Sequence, residues 1–269
     1  MIPITRVAET LGVSAEYLHP HGSHAAKVDL SLLEGTAPRS EDPRLVLVSA
    51  ITPTPAGEGK TTTTIGLGDA LARQGESVCL ALREPSLGPC FGVKGGGTGG
   101  GRAQLTPMER INLHFTGDFH AITAAHNLLA AAIDNELHFD HGSRLEGRRV
   151  VWPRVLDVND RALREIVLGL GGRAHGQPRQ SGFDITAASE LMAILCLSQG
   201  WEDLRERIDR TLVAFDREGQ PVTADSFGIV KIGQPQRVGD HTFERSTDQL
   251  SVLPVVDQLM SVGVLREQR

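Results

Sequence analysis

Residues 52–62 read Thr52-Pro53-Thr54-Pro55-Ala56-Gly57-Glu58-Gly59-Lys60-Thr61-Thr62, a set of residue types suited to gripping a polyphosphate. Gly57 and Gly59 let the backbone curl until successive N–H groups face one anion. A helix starting near Lys60 adds the positive end of its dipole at the same spot. Lys60 supplies a mobile positive charge for the outer phosphates. Thr61 or Thr62 offers a hydroxyl to Mg²⁺, and Thr61 is taken as the metal-directed residue. The expected nucleotide-contacting set is therefore Thr54, Pro55, Ala56, Gly57, Glu58, Gly59, Lys60, Thr61 and Thr62. The common spacing G-x-x-x-x-G-K-[ST] asks for glycine at position 54, where this chain has Thr54. The alternative is an ordinary turn that merely contains Gly and Lys.

Two further segments carry potential chemistry. Arg83-Glu84-Pro85-Ser86-Leu87-Gly88-Pro89 follows an apolar run and would open onto the same crevice, because neighbouring parallel strands end on one side of a sheet. The Arg83 guanidinium suits a phosphoryl group or a small carboxylate, since its fork binds two oxygens at once. A structural arginine paired with Glu84 or a helix end is the competing reading. Gly92-Val93-Lys94-Gly95-Gly96-Gly97-Thr98-Gly99-Gly100-Gly101-Arg102 is costly in chain entropy. It fits either close backbone approach to a partner or a flexible linker.

The elements that must position these groups follow from hydrophobic pattern. Residues 45–51 form a short apolar run, expected as a strand buried on both faces. Residues 60–73 read as a helix ended by Gly75, and residues 77–82 as the next strand, giving a βαβ unit. Residues 1–42 read as a surface lead-in with a short helix around 7–11. Thr106-Pro107-Met108-Glu109 marks a helix start. Longer helices are expected over 118–138, 159–168 with Asn159 as cap, 186–197 and 201–214, with a strand at 150–152. The fold class expected is α/β, a parallel-sheet P-loop nucleoside triphosphate hydrolase-like domain with flanking helices. Its domain would span 43–224, with an unmatched and poorly ordered tail over 225–269.

Bulk properties narrow the function classes. A formal net charge of -6 lacks the basic field that nucleic-acid binding draws on. No apolar run approaches the ~20 residues needed to cross a bilayer, and no basic segment followed by an apolar stretch opens the chain. Cys79, Cys90 and Cys196 form no C-x-x-C pair, as expected for reduced thiols in the cytoplasm. His114, His120 and His126 are spaced by six, which aligns no metal pair on one helical face. Asp118 is expected as a helix cap and His126 as a core histidine. No G-x-S-x-G elbow of a Ser-His-Asp hydrolase is present.

The stretch from Ile51 to Thr64, the Arg83–Pro89 segment, and Ile111-Asn112-Leu113-His114-Phe115-Thr116-Gly117-Asp118-Phe119-His120-Ala121-Ile122 resemble formate–tetrahydrofolate ligases. So do Asn127-Leu128-Leu129-Ala130-Ala131, Asn159-Asp160-Arg161-Ala162-Leu163-Arg164 and the run beginning Gly182-Phe183-Asp184-Ile185-Thr186. The resemblance covers roughly residues 5–224 and extends to Thr54, which belongs to that family's loop.

It implies an ATP- and Mg²⁺-dependent, cytoplasmic ligase of one-carbon metabolism. Such an enzyme converts formate and tetrahydrofolate to 10-formyltetrahydrofolate through formyl phosphate. It further implies that Lys60 and Arg83 are catalytic, and that the chain assembles as a homotetramer without nucleic-acid or membrane partners. The family's glycine loop reads G-x-K-G-G-A-A-G-G-G-Y, whereas Gly97, Thr98 and Arg102 stand here, replacements expected to disturb substrate placement. Resemblance stops abruptly after Ala224, and family enzymes are about twice as long. The expectation is therefore an N-terminal half from a truncated or frame-shifted reading frame. The alternative is a nucleotide-binding remnant or assembly subunit without ligase activity.

Overall fold

The computed structural model describes residues 1–35, 44–52, 54, 57–87, 97–140, 144–227, 237–238 and 241–242. Pro55, Ala56 and residues 92–96 of the glycine loop lie outside these residues, as does nearly all of the tail. The chain divides into two compact units, with the boundary between Asp118 and Phe119.

The first unit begins with α1 (Ile4–Leu11), closed by Gly12 in the left-handed conformation at φ 73°. An antiparallel hairpin of β1 (Leu18–Pro20) and β2 (Ala26–Val28) follows, then the single turn α2 (Leu32–Gly35). The lead-in is thus more than surface. Ala25 and Lys27 are each 1% exposed, and Lys27 reaches a partner far along the chain. Helix α3 (Lys60–Arg73) spans the residues expected of it. A short hairpin, β3 (Gly99–Gly100) with β4 (Ala103–Gln104), leads to α4 (Met108–Asn112). No side chain caps α4, so the expected Thr106 cap is not made. Ile65, Leu80 and Leu105 form the buried core here, with Val78, Leu82, Ala103 and Ile111 packed against it.

Two expected strands differ from the pattern's forecast. Residues 45–51 form no ladder, and Leu45 and Ile51 are 95% and 105% exposed. Residues 77–82 carry only a single bridge position at Leu80. An apolar run becomes a buried parallel strand only when neighbours satisfy its N–H and C=O groups and helices cover its faces. No described segment pairs along 45–51.

The second unit is organised by α5 (Asp118–Phe139), whose first residue closes the first unit. Ile122, Ala125, Leu129, Ala130, Ile133 and Leu137 make its buried stripe at helical spacing. Strands β5 (Leu145–Val150), β10 (Leu212–Asp216) and β11 (Pro221–Thr223) form an antiparallel sheet in the order β11-β10-β5. Strand β6 (Arg154–Leu156) pairs in parallel with β9 (Phe183–Ile185), while β7 (Ile166–Leu168) pairs antiparallel with β8 (Arg179–Ser181). The architecture is mixed α/β, and the only parallel pairing among the described residues is β6 with β9.

Three helix forecasts are corrected in this unit. Over 159–168 the chain makes a 3₁₀ turn at Arg161–Leu163 and then β7; Asp160, not Asn159, caps the turn by accepting from the Ala162 N–H at 2.9 Å. Ile166, Val167 and Leu168 favour the ladder. The stretch 186–197 splits into a 3₁₀ turn and α6 (Glu190–Leu197), because Ser189 interrupts it as an N-cap. Helix α7 (Trp201–Asp209) stops early, and Leu212 belongs to β10.

Candidate functional site

Helix α3 starts from Gly59, held in the left-handed conformation at φ 68°, and no side chain caps it. Its first-turn N–H groups, from Lys60 to Thr62, have no acceptor within the helix; the Thr63 N–H is the first to be satisfied, by the Gly59 carbonyl at 2.9 Å. Gly57 has φ 81°, and its N–H donates to the Thr54 carbonyl at 3.1 Å, which tightens the loop. A Cβ at Gly57 or Gly59 would meet nothing within 4 Å, so the space over the loop is open. The result is a positively polarised, open cradle of the kind that accepts an anion.

Lys60 Nζ donates to Glu58 Oε2 at 3.1 Å, and Glu58 Oε1 is buried without a partner. The Thr54 hydroxyl beside Glu58, and then Lys60, hold that carboxyl below its ordinary range. Glu58 therefore stays ionised and balances Lys60 across the loop. Thr61 is half-buried in the first turn and Thr62 is exposed.

The other motifs converge on this helix through the glycine hairpin. A Cβ at Gly97 would come within 2.7 Å of the Pro85 ring, two residues beyond Arg83. At Gly99, with φ +84°, a Cβ would lie 2.8 Å from Ile65 Cδ1 and collide with the Ala103 carbonyl. At Gly100 it would stand 3.9 Å from Thr62 Oγ1. The Gly97 N–H donates to Asn112 Oδ1 at 3.1 Å, which ties the hairpin to α4. Gly97 and Gly99 are there for close packing, so the linker reading fails at these two positions. Thr98, the replacement expected to disturb the loop, is accommodated at 1% exposure, and its carbonyl accepts from Leu105 N–H at 2.9 Å. Arg83 is exposed just after 77–82, and among the described residues no hydrogen bond joins it to Lys60, whose ammonium bonds Glu58.

Sequence reasoning overlooked the ion pair of Lys27 Nζ with Asp118 Oδ1, at 3.0 Å and with both side chains 1% exposed. The Thr116 hydroxyl donates to the other carboxylate oxygen. Asp118 is thus more than a cap: it is the buried counter-charge of Lys27 in the N-terminal hairpin. Nothing in local pattern signals a pairing across 91 residues. His126 is a core residue, as expected, but not the satisfied one expected, since its Nδ1 is buried without a hydrogen-bond partner. It stacks on Trp152 with ring centroids 4.0 Å apart, and its carbonyl accepts from Trp152 Nε1. Burial lowers its pKa to about 4. A cleft of about 670 Å³ in the second unit is lined by His126, Trp152, Asp184, Arg207 and Arg210 among others, and contains none of the expected site residues.

The sequence matches the family described as formate–tetrahydrofolate ligase over residues 1–231. The chain belongs to this family. The match runs a little past Ala224, where the resemblance was expected to end. Among similar proteins, the formate–tetrahydrofolate ligase of Beijerinckia indica is 62% identical over 229 residues, covering 85% of this chain and 40% of that protein. That of Methylorubrum extorquens strain PA1 is 58% identical over 221 residues, covering 82% and 40%. Formate–tetrahydrofolate ligase 2 of Rubrobacter xylanophilus is 56% identical over 226 residues, covering 84% and 39%. The chain therefore spans about 40% of the length of the curated relatives it matches. No described helix is long and apolar enough to cross a membrane.

Proposed function

We propose that this chain carries the ATP-binding part of a formate–tetrahydrofolate ligase, with a P-loop-type nucleotide site at the start of α3. The observation that carries this reading is the uncapped N-terminus of α3, led by Gly57 and Gly59 and flanked by Lys60. The donors and the lysine suit a triphosphate. The half-buried Thr61 and the unpartnered Glu58 Oε1 suit a Mg²⁺ carried with it. When bound, that ion neutralises phosphate charge.

In this reading a formate oxygen attacks the γ-phosphorus of ATP and ADP leaves. The tetrahydrofolate N10 then attacks the formyl carbon, losing its proton as phosphate departs. Lys60 neutralises charge on the transferring phosphoryl group, and Arg83 holds the formyl phosphate. Catalysis of this kind is positioning and electrostatics. Thr54, Pro55, Ala56, Gly57, Glu58, Gly59 and Thr62 complete the nucleotide contacts. The protein acts in the cytoplasm as a homo-oligomer. A second reading is nucleotide binding without turnover.

Purified chain given MgATP, formate and tetrahydrofolate separates the two. Formation of 10-formyltetrahydrofolate supports the ligase, and binding of MgATP without product supports the second reading. Absence of both rejects the site.

A further inference from the structure

We propose that Arg102 is a second nucleotide-directed cation, placed to hold the terminal phosphate of the triphosphate bound at α3. The inference rests on the nucleotide reading above and deepens it. Arg102 sits in the two-residue turn between Gly100 and Ala103, which face each other across β3 and β4. Gly101, the first turn residue, takes φ +61°, so the turn uses the backbone freedom of glycine to hold Arg102 at the hairpin tip. That hairpin is pinned to α3: Gly99 lies tightly against Ile65, and Gly100 beside the hydroxyl of Thr62 in the first turn. The backbone of Arg102 is therefore fixed two residues from a contact with the proposed phosphate cradle.

Its side chain is exposed, and no carboxylate pairs with it among the described residues. Arg73, Arg154 and Arg207 on helices and strands elsewhere are each committed to a carboxylate. An exposed guanidinium two residues along the hairpin from the Thr62 contact, with Lys60 already balanced by Glu58, would add the positive charge that a fourth phosphate negative charge calls for. The ligand chemistry is thus the terminal, anhydride-linked phosphoryl group of a nucleoside triphosphate, which AMP lacks.

The test is an equilibrium titration of the full chain with MgATP, MgADP and AMP, using wild type, Arg102→Ala, Arg102→Lys and Arg102→Tyr, with circular dichroism as a folding check. The expected result is a roughly tenfold loss of MgATP affinity in Arg102→Ala and Arg102→Tyr, with partial recovery in Arg102→Lys. Loss for MgADP is smaller, and AMP binding is unchanged. Wild-type binding with no change in Arg102→Ala overturns the inference and leaves the nucleotide reading standing, as does an equal loss for all three nucleotides. Failure of the wild type to bind MgATP overturns both.

Discussion

Helices α3 and α6 begin in opposite ways. At α6 the Ser189 hydroxyl accepts from the Met192 N–H at 3.3 Å, and four of the helix's eight residues, Leu191, Met192, Ile194 and Leu195, are buried. At α3 a left-handed glycine stands where a cap would be, and no side chain takes up the first-turn donors. Polar networks also hold the surroundings of α5: Asp134 holds Arg154 and Arg179 at 2.8 and 2.7 Å, and the Asn127 amide bonds both backbone groups of Val155. Buried polar atoms without a partner occur around both helices: Glu58 Oε1 beside α3, and His126 Nδ1 and Arg154 Nη1 around α5. What sets α3 apart is its uncapped glycine start, with Lys60 in the first turn.

The largest expected effect lies in the buried pair of Lys27 and Asp118. Asp118→Ala leaves the Lys27 ammonium buried and alone, and is expected to cost about 3–5 kcal/mol in chemical denaturation. The double variant Lys27→Met/Asp118→Leu should cost clearly less than either single change. If the singles are harmless, the pair is not buried as described.

His126 comes next. Its pKa falls from 6.5 to about 4 in the folded chain, so the unfolded state takes up a proton first as pH drops. Stability is fully present above about pH 6.5 and declines as pH falls towards 4, by up to roughly 3 kcal/mol. Substituting His126→Phe should flatten that decline in thermal melts at pH 7, 5.5 and 4.5. An unchanged slope would mean that other groups set it.

Smaller effects separate the two helix starts. Ser189→Ala should lower stability by about 1 kcal/mol through loss of its cap, with no change in nucleotide binding. Glu58→Gln should do the reverse: near-neutral stability, and about threefold tighter ATP binding measured without Mg²⁺, because Lys60 loses its counter-charge. Weaker binding in Glu58→Gln would show that the carboxylate helps the site instead of competing within it.

Much of this contrast is legible in the residues. Gly57, Gly59 and Lys60 announce the open helix start, and the limits of α3 and α5 follow from apolar spacing and flanking glycine. Local pattern cannot report what pairs with what. The run at 45–51 reads as a buried strand because its side chains are apolar, but a strand is made by its neighbours. The forecast helix over 201–214 kept the spacing of Leu204, Ile208 and Leu212, yet the β10 ladder claims Leu212. Lys27 and Asp118 look like ordinary surface charges until the fold brings them together. The hairpin glycines were recognisable as costly, while their partners Pro85, Ile65 and Thr62 were not.

The most direct test of the central claim is a calorimetric titration of MgATP into the wild-type chain and into Lys60→Ala, both shown to be folded. The account predicts one site in the wild type and at least tenfold weaker binding in Lys60→Ala, with unchanged thermal stability. Equal binding by both proteins, or none by the wild type, would contradict it.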